Sequence, residues 1–462
     1  RIRVSVQLLD VNGGSTRWAR AFDERTGDVL VLEDSLSEQV ARSLLPELTS
    51  EEQVRLERRI TNKPAAYEAY LRGRYFWSRF TDSDLQKAIR EYKQAIAIDP
   101  EYSLPYIGLA EFYIWSAIFG EIPAREAFPE ARSAVRKAIE IDGSMAEAYA
   151  VSAFIELLYG WDWPEAEYLV TKALDINPNY GFAHECYSNL LCSQGRFDEA
   201  VDEIKRAESL DPVSPRSILM SAWTLYQARR FDEAVAAARK ANEMQPDFPQ
   251  GLLHLGNCLT AAGEHDEAVT VLRRSSELWG GSGLPRHLLA FARASQGNQV
   301  AVSAILSKML ETSKTKYVKP YFIAMCHVAA GDFDTAFDWF NSAIEARDEW
   351  MVWFGVDPKL DAVRDDPRYA DLLHKTNNPI AHRSGRKAAE DPTTGSRIRS
   401  IAVLPFQRVT AGASGIDSND YLPIGIADAV TMRLSNVRKF LVRPTSSVLP
   451  FAAAELDSFS AG

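Results

Sequence analysis

"FAHECYSNLLCSQGRFDEAVDEIKRAESLDP", residues 182–212, decides the fold. Its first half carries apolar residues at helical spacing, Gly195 marks a turn, and a second amphipathic run ends before Pro212. Two helices therefore fold back on each other within about thirty residues. The small Ala200 follows "FDE" because two helices approach closely only where one side chain is short. Pro212 ends one helix and prepares the next.

The unit recurs. Ala166, Ala200, Ala234, Ala268, Val302 and Ala336 step by 34 residues, as do Gly195, Arg229, Gly263, Gly297 and Gly331, and Pro178, Pro212 and Pro246. Three ladders in one phase are the signature of stacked supersecondary units. About eight units fit between Ala65 and Arg347. In the second, "AIAIDP" at 95 and "AIEIDG" at 138 lie 43 apart, so the turn near "GEIPAREAFPE" holds extra residues. Val302 replaces the small residue in the seventh, which predicts looser packing there.

"RFDEAV" at 196–201 and again at 230–235, "GDFDTAF" at 331–337, "AIAIDP" at 95–100 and "ALDINP" at 173–178 resemble the tetratricopeptide repeat. The resemblance implies a right-handed α-solenoid whose concave wall, made by the first helix of each pair, holds peptide segments or other domains. Carrying the register across gives Ile155, Tyr159, Phe182, Asn189, Trp223, Tyr226, Leu253, Asn257, His287, Phe291 and Tyr321 as groove-facing residues. Trp223, Tyr226 and Phe291 are expected as an exposed aromatic patch for a protein or peptide partner. "LGNCL", with Gly256 and Asn257, resembles the Gly-Asn pair of repeats that clamp a terminal carboxylate. Leu253 stands where such a clamp needs lysine, and Glu185 precedes Asn189, so the asparagines read instead as solvent-facing. After the last unit, "VDPKLDAVRDDPRYADLLHK" (356–375) resembles the segment that often closes such arrays, where a polar-faced capping helix is needed.

The two ends read differently. "SIAVLPFQ" (400–407), a loop, the helical "YLPIGIADAVTMRLSNV" and "KFLVRPTSSV" form a strand, helix, strand unit. At the other end "RIRVSVQLLD", a turn at "NGG" and "TRWARAF" read as a hairpin, followed by the helix "LVLEDSLSEQVARSLLPEL". These pieces resemble the two halves of a TolB amino-terminal-like α/β domain, in the reverse of that family's order. The expected fold is thus mainly α, a solenoid plus one small α/β domain made by both ends. Its parts are 1–48 as the second half of that domain, 49–64 a connecting helix, 65–347 the array, 348–375 a cap, 376–397 a linker and 398–462 the first half. The halves meet by return within one chain, by exchange with a neighbouring copy in a homo-oligomer, or because Gly462 natively precedes Arg1 through a short further segment. The family order points to the last.

Charge and motifs narrow the function. Among 462 residues, 52 basic and 63 acidic residues give a formal charge of -11, which argues against direct nucleic-acid binding. Arg383, Arg386 and Lys387 read as part of a solvated linker. Four cysteines without a CxxC pair suggest reduced thiols in a cytoplasmic setting, and Cys258 and Cys326, two periods apart, read as buried packing residues. Seven histidines show no metal spacing, so no metal or cofactor is expected. No GxxxxGK[ST], HExxH or GxSxG occurs, and the loop 408–420, with Gly412 and Gly415, is at most a nonspecific anion cradle. No apolar run reaches the roughly 18 residues of a spanning helix.

Families joining such an α/β domain to these repeats resemble bacterial regulators, with a CadC/ToxR-like winged helix or a class III cyclase domain as output. The expected function is the non-catalytic sensory and protein-interaction portion of a signalling or transcription regulator. The alternatives are a stand-alone scaffold, or the regulatory region of an adenylate or guanylate cyclase whose catalytic domain lies outside the chain.

Overall fold

A computed structural model describes residues 2–9, 16–24, 61–79, 82–212, 214–279, 283–382, 400–402, 425–427, 429–431 and 441–443. Sixteen helices among them run as eight neighbouring pairs. The pairs are α1 Pro64–Arg79 with α2 Asp82–Ile98, α3 Ser103–Ile118 with α4 Ala124–Ile141, α5 Ala146–Ile155 with α6 Trp163–Ile176, and α7 Gly181–Ser193 with α8 Phe197–Leu210. They continue as α9 Pro215–Gln227 with α10 Phe231–Met244, α11 Pro249–Ala262 with α12 His265–Leu278, α13 Gly283–Ser295 with α14 Gln299–Ser313, and α15 Pro320–Ala330 with α16 Phe333–Glu345.

The three ladders each have a structural place. Ala166, Ala200, Ala234, Ala268, Val302 and Ala336 are all buried, so Val302 fills its position without opening the pair. Gly195, Gly263, Gly297 and Gly331 take left-handed φ of 72 to 87°, which glycine reaches without steric cost. Arg229 occupies the same turn in the fifth pair at φ 61°, where a side chain is strained. Pro178, Pro212 and Pro246 lie between helices, and Pro215, Pro249 and Pro320 open the helices that follow. Apolar contacts make one long core running through the array, beside a small separate cluster of Ile218, Leu219 and Ala241 in the fifth pair.

The extra residues of the second pair bring distant units together. Beyond α3, Phe119 meets Trp279 at the end of α12 edge-to-face, 5.1 Å between ring centroids. Arg125 Nε, in α4, donates to the Glu345 carbonyl at 2.7 Å. The array therefore curls until its second pair touches its sixth and eighth.

After α16 the chain makes two 3-10 turns, Glu349–Trp353 and Pro358–Val363, then α17, Pro367–Lys375, and a last 3-10 turn, Pro379–His382. Asp348, Asp357 and Asp366 cap these starts by accepting from Trp350 N, Lys359 N and Arg368 N. Only 367–375 of the expected closing segment is α-helix, because Pro358 and Pro367 break the run.

The expected small α/β domain requires correction. Among the described residues the strands form two separate pairs, β1 Ile2–Leu9 with β2 Thr16–Glu24, antiparallel, and β3 Ser400–Ala402 with β4 Leu441–Arg443, parallel. No sheet there joins the two ends, and the fold is a helical solenoid. The hairpin satisfies its ladder with its own return strand. The helical residues 425–427 and 429–431 pack on the solenoid: Ile426, Ala427 and Val430 are buried with the array's core, and Gly425 lies against Leu71 of α1. The connecting helix expected before α1, most of the linker and the loop with Gly412 and Gly415 lie outside the described residues.

Candidate functional site

The concave wall is formed by the first helices, and it is already occupied. Residues 346–382 enter the groove after α16 and run back along it as a strap. Trp350 lies edge-on to Trp223 at 6.3 Å, to His287 at 6.3 Å and to Phe322 at 5.3 Å, and stacks on Tyr321 at 6.3 Å. Its indole Nε1 donates to the Ile118 carbonyl across the groove at 3.3 Å. Trp353 meets Trp223 edge-to-face at 5.3 Å. Further on, Trp163 Nε1 donates to the Thr376 carbonyl at 3.2 Å, and Ile380 sits beside Gly195.

Polar contacts fix the strap's register. Tyr226 Oη donates to Asp357 Oδ1 at 3.0 Å. Lys359 Nζ donates to Tyr226 Oη at 2.8 Å and to Asn257 Oδ1 at 3.1 Å, and pairs with Asp357 at 3.0 Å. Arg229 closes a two-pronged ion pair on Asp361, with Nη1 to Oδ2 at 2.6 Å and Nη2 to Oδ1 at 2.5 Å. The strained turn residue of the fifth pair thus holds the strap.

The groove-facing residues read from the register divide accordingly. Trp223 and Tyr226 are only 9% and 1% exposed, so the expected exposed patch is absent: the strap covers both, while Phe291 is half-buried near Lys359. Asn257, His287 and Tyr321 are buried under the same segment, and Ile155 and Leu253 are core. Asn189 donates to the Glu185 carbonyl of its own helix at 2.9 Å. Tyr159 stacks on Phe128 at 4.9 Å beneath Arg347. Phe182 is half-buried, edge-on to Phe154 at 5.9 Å. Gly256 proves to be a packing residue, since a Cβ there would lie 2.3 Å from Leu272 Cγ.

Sequence reasoning missed Trp350, Trp353, Asp357, Lys359 and Asp361. The available signal was the density of tryptophan, aspartate and proline in 348–361 without a helical period.

Burial and the strap's lysine set the electrostatics here. Desolvation, with the Lys359 charge beside it, pushes His254 down to about 4 and His287 to about 3, so both are neutral imidazoles at neutral pH. At the strap's root Lys319 pairs with Glu349 at 2.6 Å and lies 3.9 Å from Asp348, all three buried. Burial pushes the Asp348 carboxyl up to about 6 against the pull of Lys319.

The N-terminal ends of α7 and α9 carry a second cluster. The Arg216 guanidinium stands 5.3 Å from the Trp115 ring and 5.2 Å from Phe182, and pairs with Glu185 at 3.1 Å. Its side chain is 48% exposed. Glu147 nearby has its carboxyl raised by burial and by the charges of Asp142 and Glu111. Among the described residues there is no group of three or more His, Cys, Asp or Glu able to hold a metal ion, and no helix long and apolar enough to cross a membrane.

Residues 219–282 match the tetratricopeptide repeat family. The transcriptional regulator HilA of Salmonella typhimurium is 26% identical over 157 residues, 34% of this chain and 28% of that protein. The putative adenylate cyclase 3 of Rhizobium meliloti is 29% identical over 150 residues, 31% of this chain and 25% of that protein. The chain thus spans about a quarter of the length of these curated relatives. Among solved structures, yeast Tom70 is similar with a TM-score of 0.41 and 17% identity, over 74% of this chain and 76% of that one. PilW, a type IV pilus biogenesis factor, is similar with a TM-score of 0.38 and 19% identity, over 46% of this chain and 94% of that one. The chain therefore carries tetratricopeptide repeats, and the TolB-like and CadC/ToxR-like relationships gain no support from these findings.

Proposed function

We propose that this chain is the protein-interaction region of a bacterial signalling or transcription regulator, without catalysis of its own, and that it binds a polypeptide segment on its concave face. The observation behind this reading is the strap: the wall holds a non-repeat stretch of 3-10 turns through specific contacts such as Tyr226 to Asp357 and Arg229 to Asp361. A surface that recognises one polypeptide in this way is suited to recognising another. The similarity to HilA, named as a transcriptional regulator, supports the regulatory setting. The similarity to a putative adenylate cyclase favours a second reading, the regulatory region of a cyclase.

A photo-crosslinking residue placed at Phe182, in the part of the groove beside Arg216, tests the proposal in the native host. One discrete protein adduct is expected, absent when the same residue is placed at exposed Tyr168 on α6. Adducts identical at both positions count against the concave face. Cyclic nucleotide formation from ATP or GTP by the purified chain contradicts the non-catalytic part.

A further inference from the structure

The strap is more than the closing helix an array requires. An array end needs one polar-faced helix over its last pair, and α17 meets that need, with Arg368 reaching Asp334 of α16 at 2.9 Å. Residues 349–361 pack on the last pair too, with Trp350 against Tyr321 and Phe322 and Phe354 against Phe340, but they also reach along the wall to the fifth and sixth pairs, meeting Trp223, Tyr226, Arg229 and Asn257 at separations of up to 133 positions in the chain. Arg229 supports the same distinction. Four other pairs place glycine at that turn, whereas the third and fifth keep Trp161 and Arg229 in a left-handed conformation, and the Arg229 guanidinium spans to Asp361. Of these two strained turn residues, Arg229 is the one whose side chain closes a two-pronged ion pair on the strap, a contact that joins the fifth repeat to that segment.

We infer that residues 349–361 are a resident ligand of the concave face, and that a partner binds by replacing them with a segment of the same chemistry. That segment has two aromatic side chains three positions apart, as Trp350 and Trp353 are, followed by an acidic residue four positions on for the Tyr226 hydroxyl and another four beyond for Arg229. This rests on the concave face being the partner-binding surface. A tethered ligand competes at a high effective concentration, so an outside segment binds weakly until the tethered one is loosened.

The test uses the full chain and a fluorescent peptide with the sequence of residues 346–364. Asp361→Ala removes a side chain that is 46% exposed and lies outside the repeats. Trp353→Ala with Asp361→Ala loosens the strap further. Peptide affinity should rise from wild type to the single and then the double variant, by about tenfold or more overall, and a peptide lacking both side chains should not bind. A double variant that keeps its helical signal but binds the peptide no better than wild type overturns the inference. If the double variant unfolds, hydrogen exchange in the wild-type chain decides. Amides of 349–361 exchanging well before those of α9 support replacement, and equal protection overturns it. Failure here leaves the crosslink at Phe182 unaffected, so the broader reading of the face stands or falls separately.

Discussion

Tyr226 donates its hydroxyl to Asp357 across 131 positions of chain, and both side chains are buried where strap and wall meet. The contact joins the fifth repeat to a segment beyond the last one. Lys359 caps the same hydroxyl, so one lysine, one tyrosine and one aspartate satisfy one another out of water.

Tyr226→Phe removes the donor and leaves Asp357 with a weaker set of partners. The expected loss is about 1–2 kcal/mol in urea unfolding. Trp353→Ala empties a larger volume against Trp223 and should cost about 3–5 kcal/mol. Coupling between Tyr226→Phe and Asp357→Asn in a double-mutant cycle checks that the bond, and not a general loosening, is responsible. Strict additivity counts against it.

The strap's root should make stability depend on pH. Burial raises the Asp348 carboxyl from 3.8 to about 6, so between those values the folded chain holds a proton that the unfolded chain has released. Stability from this group therefore falls as pH rises through that window, and the penalty is full above it. His254 and His287 act in the opposite sense: folded values of about 4 and about 3 against 6.5 mean that acidification below 6.5 favours the unfolded chain. Comparing wild type with Asp348→Asn isolates the first effect. The variant's advantage should grow between pH 4 and pH 7 by on the order of 1–3 kcal/mol, whereas a difference independent of pH means that Asp348 does not titrate there.

Gly256→Ala tests why a glycine stands inside α11. The added methyl would lie 2.3 Å from Leu272 Cγ, and Leu272 is fully buried on α12 with no free direction to move. Destabilisation of about 1–3 kcal/mol is expected from overpacking. A neutral or stabilising effect in thermal melts, as helix propensity alone would give, shows that the two helices can separate.

All four cysteines are free and buried, and burial pushes the thiols of Cys192, Cys258 and Cys326 up to about 12. A thiol reagent reacts with the thiolate. Native protein at pH 8 should therefore leave all four unmodified over the time in which urea-unfolded protein is fully labelled. Rapid labelling of one native cysteine locates a part of the array that opens.

The repeat architecture was legible because it is local. A 34-residue step, glycine at the turn and a small residue at the helix contact act within one pair or between neighbours, and each unit restates them, so the sequence by itself determined the helix pairs and the wall they build. What fills that wall was decided only in three dimensions. Trp350, Trp353, Asp357 and Lys359 have no period, and their partners lie far away in the chain, brought near because the lengthened second pair curls the array onto its own end. The two chain ends mark the same boundary. Alternating strands and an apolar helix read equally well as halves of one domain, yet the hairpin paired with itself and the helix near Gly425 took Leu71 of the solenoid as its neighbour. Local pattern says which face of an element is apolar, and only the folded chain decides what covers it.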